Sequence, residues 1–182
     1  LEDTPNCPAR LLGKVYSTEQ LSDFAESADV FTLEFENTPL KSAEWLEKSH
    51  PFYPPSNALA VAQDRLQEKA LFNQLDIKTV PFLKVENKAD IQHAVEKLGL
   101  PLVLKTSRGG YDGKGQFVLK TAEQIDKAWA ELGEAVKTAP LIAEGFINFE
   151  REVSIIAVRG QTGDIRYYPL VENEHHNGIL NA

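Results

Sequence analysis

The stretch "LKTSRGGYDGKGQFVLK", residues 104–120, places four glycines in a short connection between two apolar runs. Both runs have the length of a β-strand, and the second, "QFVLK", follows the glycines directly. This pattern predicts a β-hairpin with a glycine-rich tip. Lys105 stands at the end of the incoming strand, where its ammonium group can face an anion beneath the tip.

Known phosphate-binding loops differ from this connection. The P-loop pattern fails, because Arg108 stands where its first glycine belongs and Gly115 where its hydroxyl residue belongs. The dinucleotide fingerprint fails because Gly110, Gly113 and Gly115 present its spacing in reverse. Both motifs also require a helix after the loop, whereas a strand is expected here.

Two interpretations of the glycine loop stay open. It is either a flap whose backbone N–H groups approach phosphate oxygens, or a structural hairpin in which Asp112 and Gly113 supply the turn. The second interpretation explains one glycine only, and it leaves Gly109, Gly110 and Gly115 without a role. Glycine restricted in an ordered loop costs roughly 0.5–1 kcal/mol relative to alanine.

Composition excludes several classes of protein. The net charge is −8 and the sequence pI is about 5.1, so the chain lacks the basic field of a nucleic-acid binder. Residues 101–120 differ from the chain as a whole, because their local net charge is +3. Cys7 is the single cysteine, and no apolar run approaches the ~20 residues of a membrane span. We therefore expect a cytoplasmic protein that contacts neither membrane nor nucleic acid.

The pattern of apolar runs predicts the domain organisation. We expect "ADVFTLEF" (28–35) to be a buried parallel strand, followed by a helix that Thr38 caps and Pro39 opens. A second helical stretch places Leu59, Ala62, Leu66 and Ala70 on one face, with a restart at Asp64. Because the chain begins at Leu1 without any methionine, we expect a piece of a longer protein. The predicted segments are a partial N-terminal α/β domain (1–57), a connecting helix (58–77), an α+β lid subdomain (78–147) and the start of a further subdomain (148–182).

The segment "IAEGFINFEREVS" (142–154) is a second candidate site. Glu144 ends one predicted strand and Glu152 begins the next, with Phe146 and Ile147 between them. An adenine ring needs apolar faces and backbone polar groups, and a carboxylate can accept from ribose hydroxyls. The alternative is that both glutamates are solvated loop residues and that Phe146 belongs to the core.

Five segments in order resemble the N5-carboxyaminoimidazole ribonucleotide synthetase family of ATP-grasp enzymes. The resemblance covers about residues 28–182 and implies an ATP-grasp fold of mixed α/β and α+β class, with a partial N-terminal parallel-sheet domain. The segments are "ADVFTLEFENTP", "YPPSNALAVAQDRLQEKALFNQLDI", "KTSRGGYDGKGQF", "EGFINFEREVSII" and "YYPLVENEHHNGIL".

The resemblance implies an ATP-dependent carbon–nitrogen ligase of purine biosynthesis. Its substrates would be ATP, bicarbonate and 5-aminoimidazole ribonucleotide, with carboxyphosphate as the intermediate and a homodimer as the assembly. Mg²⁺ is implied as well, with ligands expected beyond residue 182. Two alternatives stay open: another ATP-grasp ligase of the formate-dependent glycinamide ribonucleotide transformylase or biotin carboxylase type, and a non-catalytic nucleotide-binding module.

The resemblance also implies the site residues. Lys105, Asp112 and Lys114 would be catalytic, and Asp112 and Lys114 would face bicarbonate and the aminoimidazole ribonucleotide. Lys114 replaces an arginine common in the family, which keeps the charge but loses the bidentate fork. Taken alone, Arg65 would be expected on the surface. The implied ATP-binding residues are Arg65, Lys105, Gly110, Tyr111, Asp112, Gly113, Lys114, Gly115, Gln116, Glu144, Gly145, Phe146, Ile147, Glu152 and His175.

Overall fold

The computed structural model describes residues 17–110, 114–176 and 179–180. These residues fall into two compact units. The first contains the chain up to Thr79 together with Ser107–Gly109, and the second contains Val80–Thr106 and the described residues from Gly110 onward.

The first unit consists of short helices around a pair of very short parallel strands. A capping box at Ser17, with its side chain and that of Gln20 bonded reciprocally to backbone N–H groups, opens the first helix. Phe31 lies opposite Phe52 in the parallel pair, and both rings are buried in the core of this unit. The elements are α1 (Thr18–Ala25), β1 (Phe31–Thr32), α2 (Leu40–Glu47), β2 (Phe52–Tyr53), α3 (Ser56–Ala62) and α4 (Arg65–Gln74).

The expectations for this unit hold only in part. The parallel pairing of residues 28–35 with the next strand is present, but the strand itself has two residues. The predicted cap at Thr38 is wrong, because its hydroxyl donates to the Phe35 carbonyl at 2.9 Å, and Pro39 takes the cap position. Residues 33–35 are therefore irregular where a longer strand was expected, and a turn follows them at residues 36–37.

The second helical stretch restarts as predicted. Asp64 is the N-cap of α4, and its side chain accepts from the Leu66 N–H. The predicted apolar face is largely wrong, since only Leu59 of its four members is buried, and α4 has no buried residue.

The second unit contains a four-stranded antiparallel sheet with the order β3-β6-β4-β5. Asn87 and Asp90 form the capping box that opens α5, and Gly99, at φ +78°, ends it. The predicted hairpin around the glycine loop is confirmed as β4 paired with β5. The elements are β3 (Phe82–Val85), α5 (Lys88–Leu98), β4 (Leu102–Thr106), β5 (Gln116–Leu119), α6 (Ile125–Leu132) and β6 (Leu141–Gly145), with 3₁₀ turns at Ala122–Gln124 and Gly133–Lys137.

Side chains along β4 and β6 alternate between the two faces of this sheet. Leu102 and Leu104 of β4 and Leu141 and Ala143 of β6 are fully buried in one core with α5 and α6. Successive strand residues point to opposite faces. Lys105 and Glu144 therefore belong to the face directed away from the helices.

The remaining strands form two-stranded pairs with many exposed apolar side chains. As predicted, the segments flanking residues 160–163 form an antiparallel hairpin, β8 with β9. The exposed large hydrophobic residues of these strands and of the connection between β7 and β8 include Val153, Ile155, Ile156, Val158, Tyr167 and Val171. No described helix has the length and apolarity needed to cross a membrane. The elements are β7 (Glu152–Ser154), β8 (Ala157–Arg159), β9 (Ile165–Tyr167), β10 (Val171–Asn173), β11 (His175–His176) and β12 (Ile179–Leu180).

The central strands carry the stability of the second unit. Leu104 has no exposed surface, so we expect Leu104→Ala to lower the free energy of unfolding of this unit by about 2–5 kcal/mol through cavity formation. Trp129 packs against this core and Trp45 against the other, so urea unfolding followed by fluorescence in a Trp45→Phe background reports on the second unit. Val118→Ala, at a partly exposed position of the same hairpin, is the control. Equal losses in the two variants would contradict the assignment of the core.

Candidate functional site

The site of the second unit is built around an ion pair between neighbouring strands. Lys105 Nζ donates to Glu144 Oε2 at 2.7 Å. In the register of β4 with β6, Lys105 lies opposite Ile142 and Glu144 opposite Val103, so the pair is a diagonal one on one face. A long lysine side chain reaches a diagonal neighbour in an antiparallel pair.

The two partners differ in exposure. The Glu144 side chain is 8% exposed and that of Lys105 is 30% exposed. A buried carboxylate requires a cation or hydrogen-bond donors, and Lys105 supplies one while keeping part of its ammonium group accessible. The alternative that Glu144 is a solvated loop residue is therefore wrong, because it is a buried strand residue. The lysine remains reachable by an anion on this face.

The glycine loop begins at Ser107, directly after Thr106 ends β4. Gly110 and Gly115 have φ values of +80° and +72°. A Cβ on Gly110 would lie 2.9 Å from the Lys114 carbonyl oxygen, and one on Gly115 would lie 3.0 Å from Thr106 Oγ1. The Thr106 N–H also donates to the Gly115 carbonyl at 2.9 Å. The loop's own backbone thus requires both glycines, and the inference that a structural hairpin leaves them without a role is wrong.

Part of the predicted flap lies outside the described residues, namely Tyr111, Asp112 and Gly113. Lys114 is exposed in the turn that follows, and Gln116 opens β5 directly opposite Lys105 in the strand register. The register therefore brings Gln116 and Lys105 to the same face of the hairpin.

The predicted adenine hinge follows β6 immediately. Gly145 ends the strand, and its N–H donates to the Pro81 carbonyl at 2.9 Å. Phe146 and Ile147 are 48% and 52% exposed. The alternative that Phe146 is a core residue is therefore wrong. An exposed apolar pair beside a buried carboxylate has the composition of a site for a flat heteroaromatic ring.

Glu152 and His175 lie together at the ends of two later strands. Glu152 Oε1 is 3.6 Å from His175 Nε2, a separation that makes an ion pair only when the imidazole is protonated. Asn173 lies opposite Glu152 in the β7–β10 register and donates to Glu152 Oε1 at 2.9 Å. The Asn173 amide also contacts Ser154 Oγ at 2.7 Å. This cluster holds one glutamate carboxylate at an accessible strand end.

Arg65 belongs to the first unit, where it is the first residue of α4. Its Nη1 donates to the Gly109 carbonyl at 2.7 Å, and its backbone N–H donates to the Ser107 carbonyl at 2.9 Å. Arg108 Nε donates to Asp64 Oδ2 at 3.0 Å. Arg65 is only half-buried, but it is a partner of the loop root and not an isolated surface charge.

Sequence reasoning missed three contributors to these contacts. Asp64 was expected only as a helix cap, and Arg108 was counted only as part of the local charge. Asn173 carried no local pattern at all. Each acts on a partner 21 to 44 residues away in the chain, a separation that periodicity within one element does not reveal. The opposite charges of Asp64 and Arg108 were the indication in the sequence that these two residues form a pair.

Relatives of this chain carry a consistent name. N5-carboxyaminoimidazole ribonucleotide synthase from Pseudomonas aeruginosa is 42% identical over 99% of this chain and 50% of its own length. The crystal structure of N5-carboxyaminoimidazole ribonucleotide synthetase from Thermus thermophilus has a TM-score of 0.79 at 46% identity, covering 89% of this chain and 42% of that one. The crystal structure of the Staphylococcus aureus synthetase complexed with ADP has a TM-score of 0.82 at 35% identity, covering 89% of this chain and 42% of that one. The chain thus spans about half the length of the curated relatives that it matches.

Two family models divide the chain between them. The ribonucleotide synthetase preATP-grasp domain matches residues 1–63, and the ATP-grasp domain matches residues 70–182. The predicted ATP-grasp fold with a preceding preATP-grasp domain is confirmed by these matches. Because the second match covers more than half of the sequence, the chain belongs to the ATP-grasp family.

Proposed function

We propose that the outer face of the β3-β6-β4-β5 sheet is a nucleotide site and that the complete protein uses ATP to carboxylate 5-aminoimidazole ribonucleotide with bicarbonate. The observation that carries this proposal is the Lys105–Glu144 ion pair, placed between the glycine loop and the exposed Phe146–Ile147 pair. The ADP complex of the Staphylococcus aureus relative supports the choice of nucleotide.

Different residues of the second unit are proposed to contact the phosphates, the adenine ring and the ribose of the nucleotide. Lys105 neutralises phosphate charge as a point cation, and backbone N–H groups of Gly110–Gln116 cover the phosphate oxygens. The Glu144–Ile147 segment receives the adenine ring, with Phe146 and Ile147 as its apolar contacts. Glu152 accepts from the ribose hydroxyls, and His175 lies beside it. We propose that Arg65 contacts the nucleotide phosphates, as the family resemblance implies.

The reaction requires positioning and charge neutralisation. A bicarbonate oxygen attacks the γ-phosphorus of ATP and ADP leaves, forming carboxyphosphate. The exocyclic amine of the ribonucleotide then takes the carboxyl group, while phosphate leaves and the amine loses a proton. Both transfers pass through states with concentrated negative charge, which fixed cations and backbone donors stabilise. We propose that Asp112 and Lys114 face bicarbonate and the ribonucleotide.

The magnesium ion that the family resemblance implies has no set of ligands in the described part of the chain. There, no group of three or more His, Cys, Asp or Glu side chains could hold a metal ion. The chemistry that a bound magnesium ion would supply is neutralisation of phosphate charge. The roles assigned to Lys105 and the glycine loop do not depend on it.

The proposal also covers the domain organisation, the location and the assembly of the protein. We propose that residues 1–57 are part of an N-terminal α/β domain, that 58–77 connect it to a lid formed by 78–147, and that 148–182 begin the central subdomain. A cytoplasmic homodimer is proposed for the complete protein. The single cysteine, which has no disulfide partner within this sequence, supports a reducing compartment.

The choice of one-carbon substrate separates the proposal from its nearest rivals. We expect the complete protein to hydrolyse ATP only when bicarbonate and 5-aminoimidazole ribonucleotide are both present, measured as released phosphate. Formate in place of bicarbonate should give background rates, as should biotin in place of the ribonucleotide. Activity with formate and glycinamide ribonucleotide would favour the transformylase, biotin-dependent hydrolysis would favour the carboxylase, and nucleotide binding without turnover would favour a non-catalytic module.

Lys105 is the side chain on which phosphoryl transfer should depend most. We expect Lys105→Ala to reduce ATP hydrolysis by the complete protein by at least ~100-fold, because a preorganised cation is lost where charge develops. Lys137→Ala is the matched control, since Lys137 forms an exposed ion pair with Glu134 on the helix side of the same unit. Melting temperatures show whether each variant folds. Near-normal hydrolysis by folded Lys105→Ala would remove the assigned role.

Substitution of Glu152 tests the proposed contact with the ribose hydroxyls. We expect Glu152→Gln to weaken ATP binding by roughly tenfold, because hydrogen bonds from hydroxyls to a charged acceptor are lost. The wild-type protein should discriminate ATP from 2′-deoxy- or 3′-deoxy-ATP, and the variant should discriminate less. Glu150→Gln, at an exposed position two residues earlier, is the control. Unchanged discrimination against both analogues would argue against this contact.

A further inference from the structure

The first unit contains a compact set of contacts between the start of α4 and the three residues that precede Gly110. We call this set the α4 clasp, and it comprises Asp64, Arg65 and Ser107–Gly109. Arg65 bonds through its backbone N–H to the Ser107 carbonyl at 2.9 Å and through Nη1 to the Gly109 carbonyl at 2.7 Å. Arg108 Nε bonds to Asp64 Oδ2 at 3.0 Å. The clasp therefore joins two segments about 44 residues apart in the chain.

Asp64 uses its two carboxylate oxygens for different purposes. Oδ1 accepts from the Leu66 N–H at 3.0 Å and caps the helix, while Oδ2 accepts from Arg108. Asp64 is 8% exposed as a residue, so this double use compensates a largely buried charge. The Arg108 side chain is 44% exposed, so solvent screening weakens the ion pair that it forms with Asp64. Capping and ion pairing can thus be separated by substitution.

The clasp occupies the backbone donors at the helix start. The Arg65 N–H is taken by the Ser107 carbonyl and the Leu66 N–H by Asp64. These two N–H groups are therefore engaged within the protein. An anion approaching α4 would meet the Arg65 guanidinium, whose orientation is held by the Gly109 carbonyl.

The clasp holds a segment in which Ser107 is fully buried and Gly109 is part-buried. Gly109 has φ +65° and a Cβ placed on it would meet nothing within 4 Å. Glycine loses more conformational freedom on ordering than other residues. Without the clasp, part of the ordering of Arg65 and Gly109 would take place only when a ligand bound, and that entropy loss would weaken affinity.

We propose that Asp64 and Arg108 are positioning residues for the nucleotide. Their ion pair holds the Arg65 guanidinium and the Ser107–Gly109 backbone in the binding geometry before ATP arrives. This proposal rests on the proposed function, because Arg65 is the expected phosphate contact. A positioning role affects binding of the nucleotide more than the rate of the chemical step.

A double-mutant cycle in the complete protein tests the clasp. The variants are Asp64→Asn, which keeps the capping oxygen but removes the charge, Arg108→Gln, and the two combined. We expect each single change to raise the KM for ATP and the Kd for ADP by roughly 3–10-fold, since a charge-assisted hydrogen bond that is partly screened is lost. We expect kcat to change less than about twofold, and the double variant to resemble the worse single variant, because paired residues are non-additive.

Two further variants separate positioning from general destabilisation. Arg108→Lys keeps the charge without the guanidinium fork, so it should recover part of the ADP affinity. Asp126→Asn removes a carboxylate from an exposed ion pair with Lys88 and should leave ADP affinity unchanged. Calorimetric titration with ADP gives the affinities, and melting temperatures give the folded state.

The possible outcomes are distinct. Unchanged ADP affinity in folded Arg108→Gln, additive losses in the double variant, or a fall in kcat at constant KM would overturn the clasp. Arg108 is largely accessible, so its variants serve as the test should Asp64→Asn fail to fold. A wild-type protein that binds ADP but does not turn over with bicarbonate and the ribonucleotide would overturn the proposed function, while the ADP affinities would still test the clasp.

Discussion

The two-residue periodicity of β4 and β6 is the constraint on which the second unit depends. It directs Leu102, Leu104, Leu141 and Ala143 into the core beneath the helices. The same alternation places Lys105 and Glu144 on the opposite face, where a lysine can reach its diagonal neighbour. A shift of one residue in either strand would place the charged pair against the helices and take the leucines out of this core. Core packing and ion-pair formation thus specify one register.

The Lys105–Glu144 pair also explains how a cation can be kept at a strand end beside a hydrophobic core. Glu144 is nearly buried, and its charge would be costly without a partner. Lys105 retains enough exposure to meet an anion from outside. Because Glu144 already holds the ammonium group in place, little reorganisation of Lys105 would accompany the binding of such an anion.

The glycine loop shows why residue composition is a weak guide to ligand binding. Gly110 and Gly115 are explained by positive φ angles and by crowding around Thr106 and the Lys114 carbonyl, without any ligand. Their presence does not distinguish a phosphate flap from a structural hairpin. The case for a nucleotide comes instead from what surrounds the loop: a partly exposed cation, a buried carboxylate and two exposed apolar residues.

Local pattern in the sequence determined the hairpin around the glycines and the restart of the helix at Asp64. These features depend on neighbours within a few residues, which periodicity and capping chemistry describe directly. The predicted strand at residues 28–35 was too long, because local hydrophobicity does not reveal where a turn ends the pairing. Only the tertiary structure decided that Glu144 pairs with Lys105, that Asn173 holds Glu152 and that Arg108 reaches Asp64. Each of these contacts joins residues far apart in the chain, and strand register and chain folding, unlike local spacing, determine which distant side chains meet.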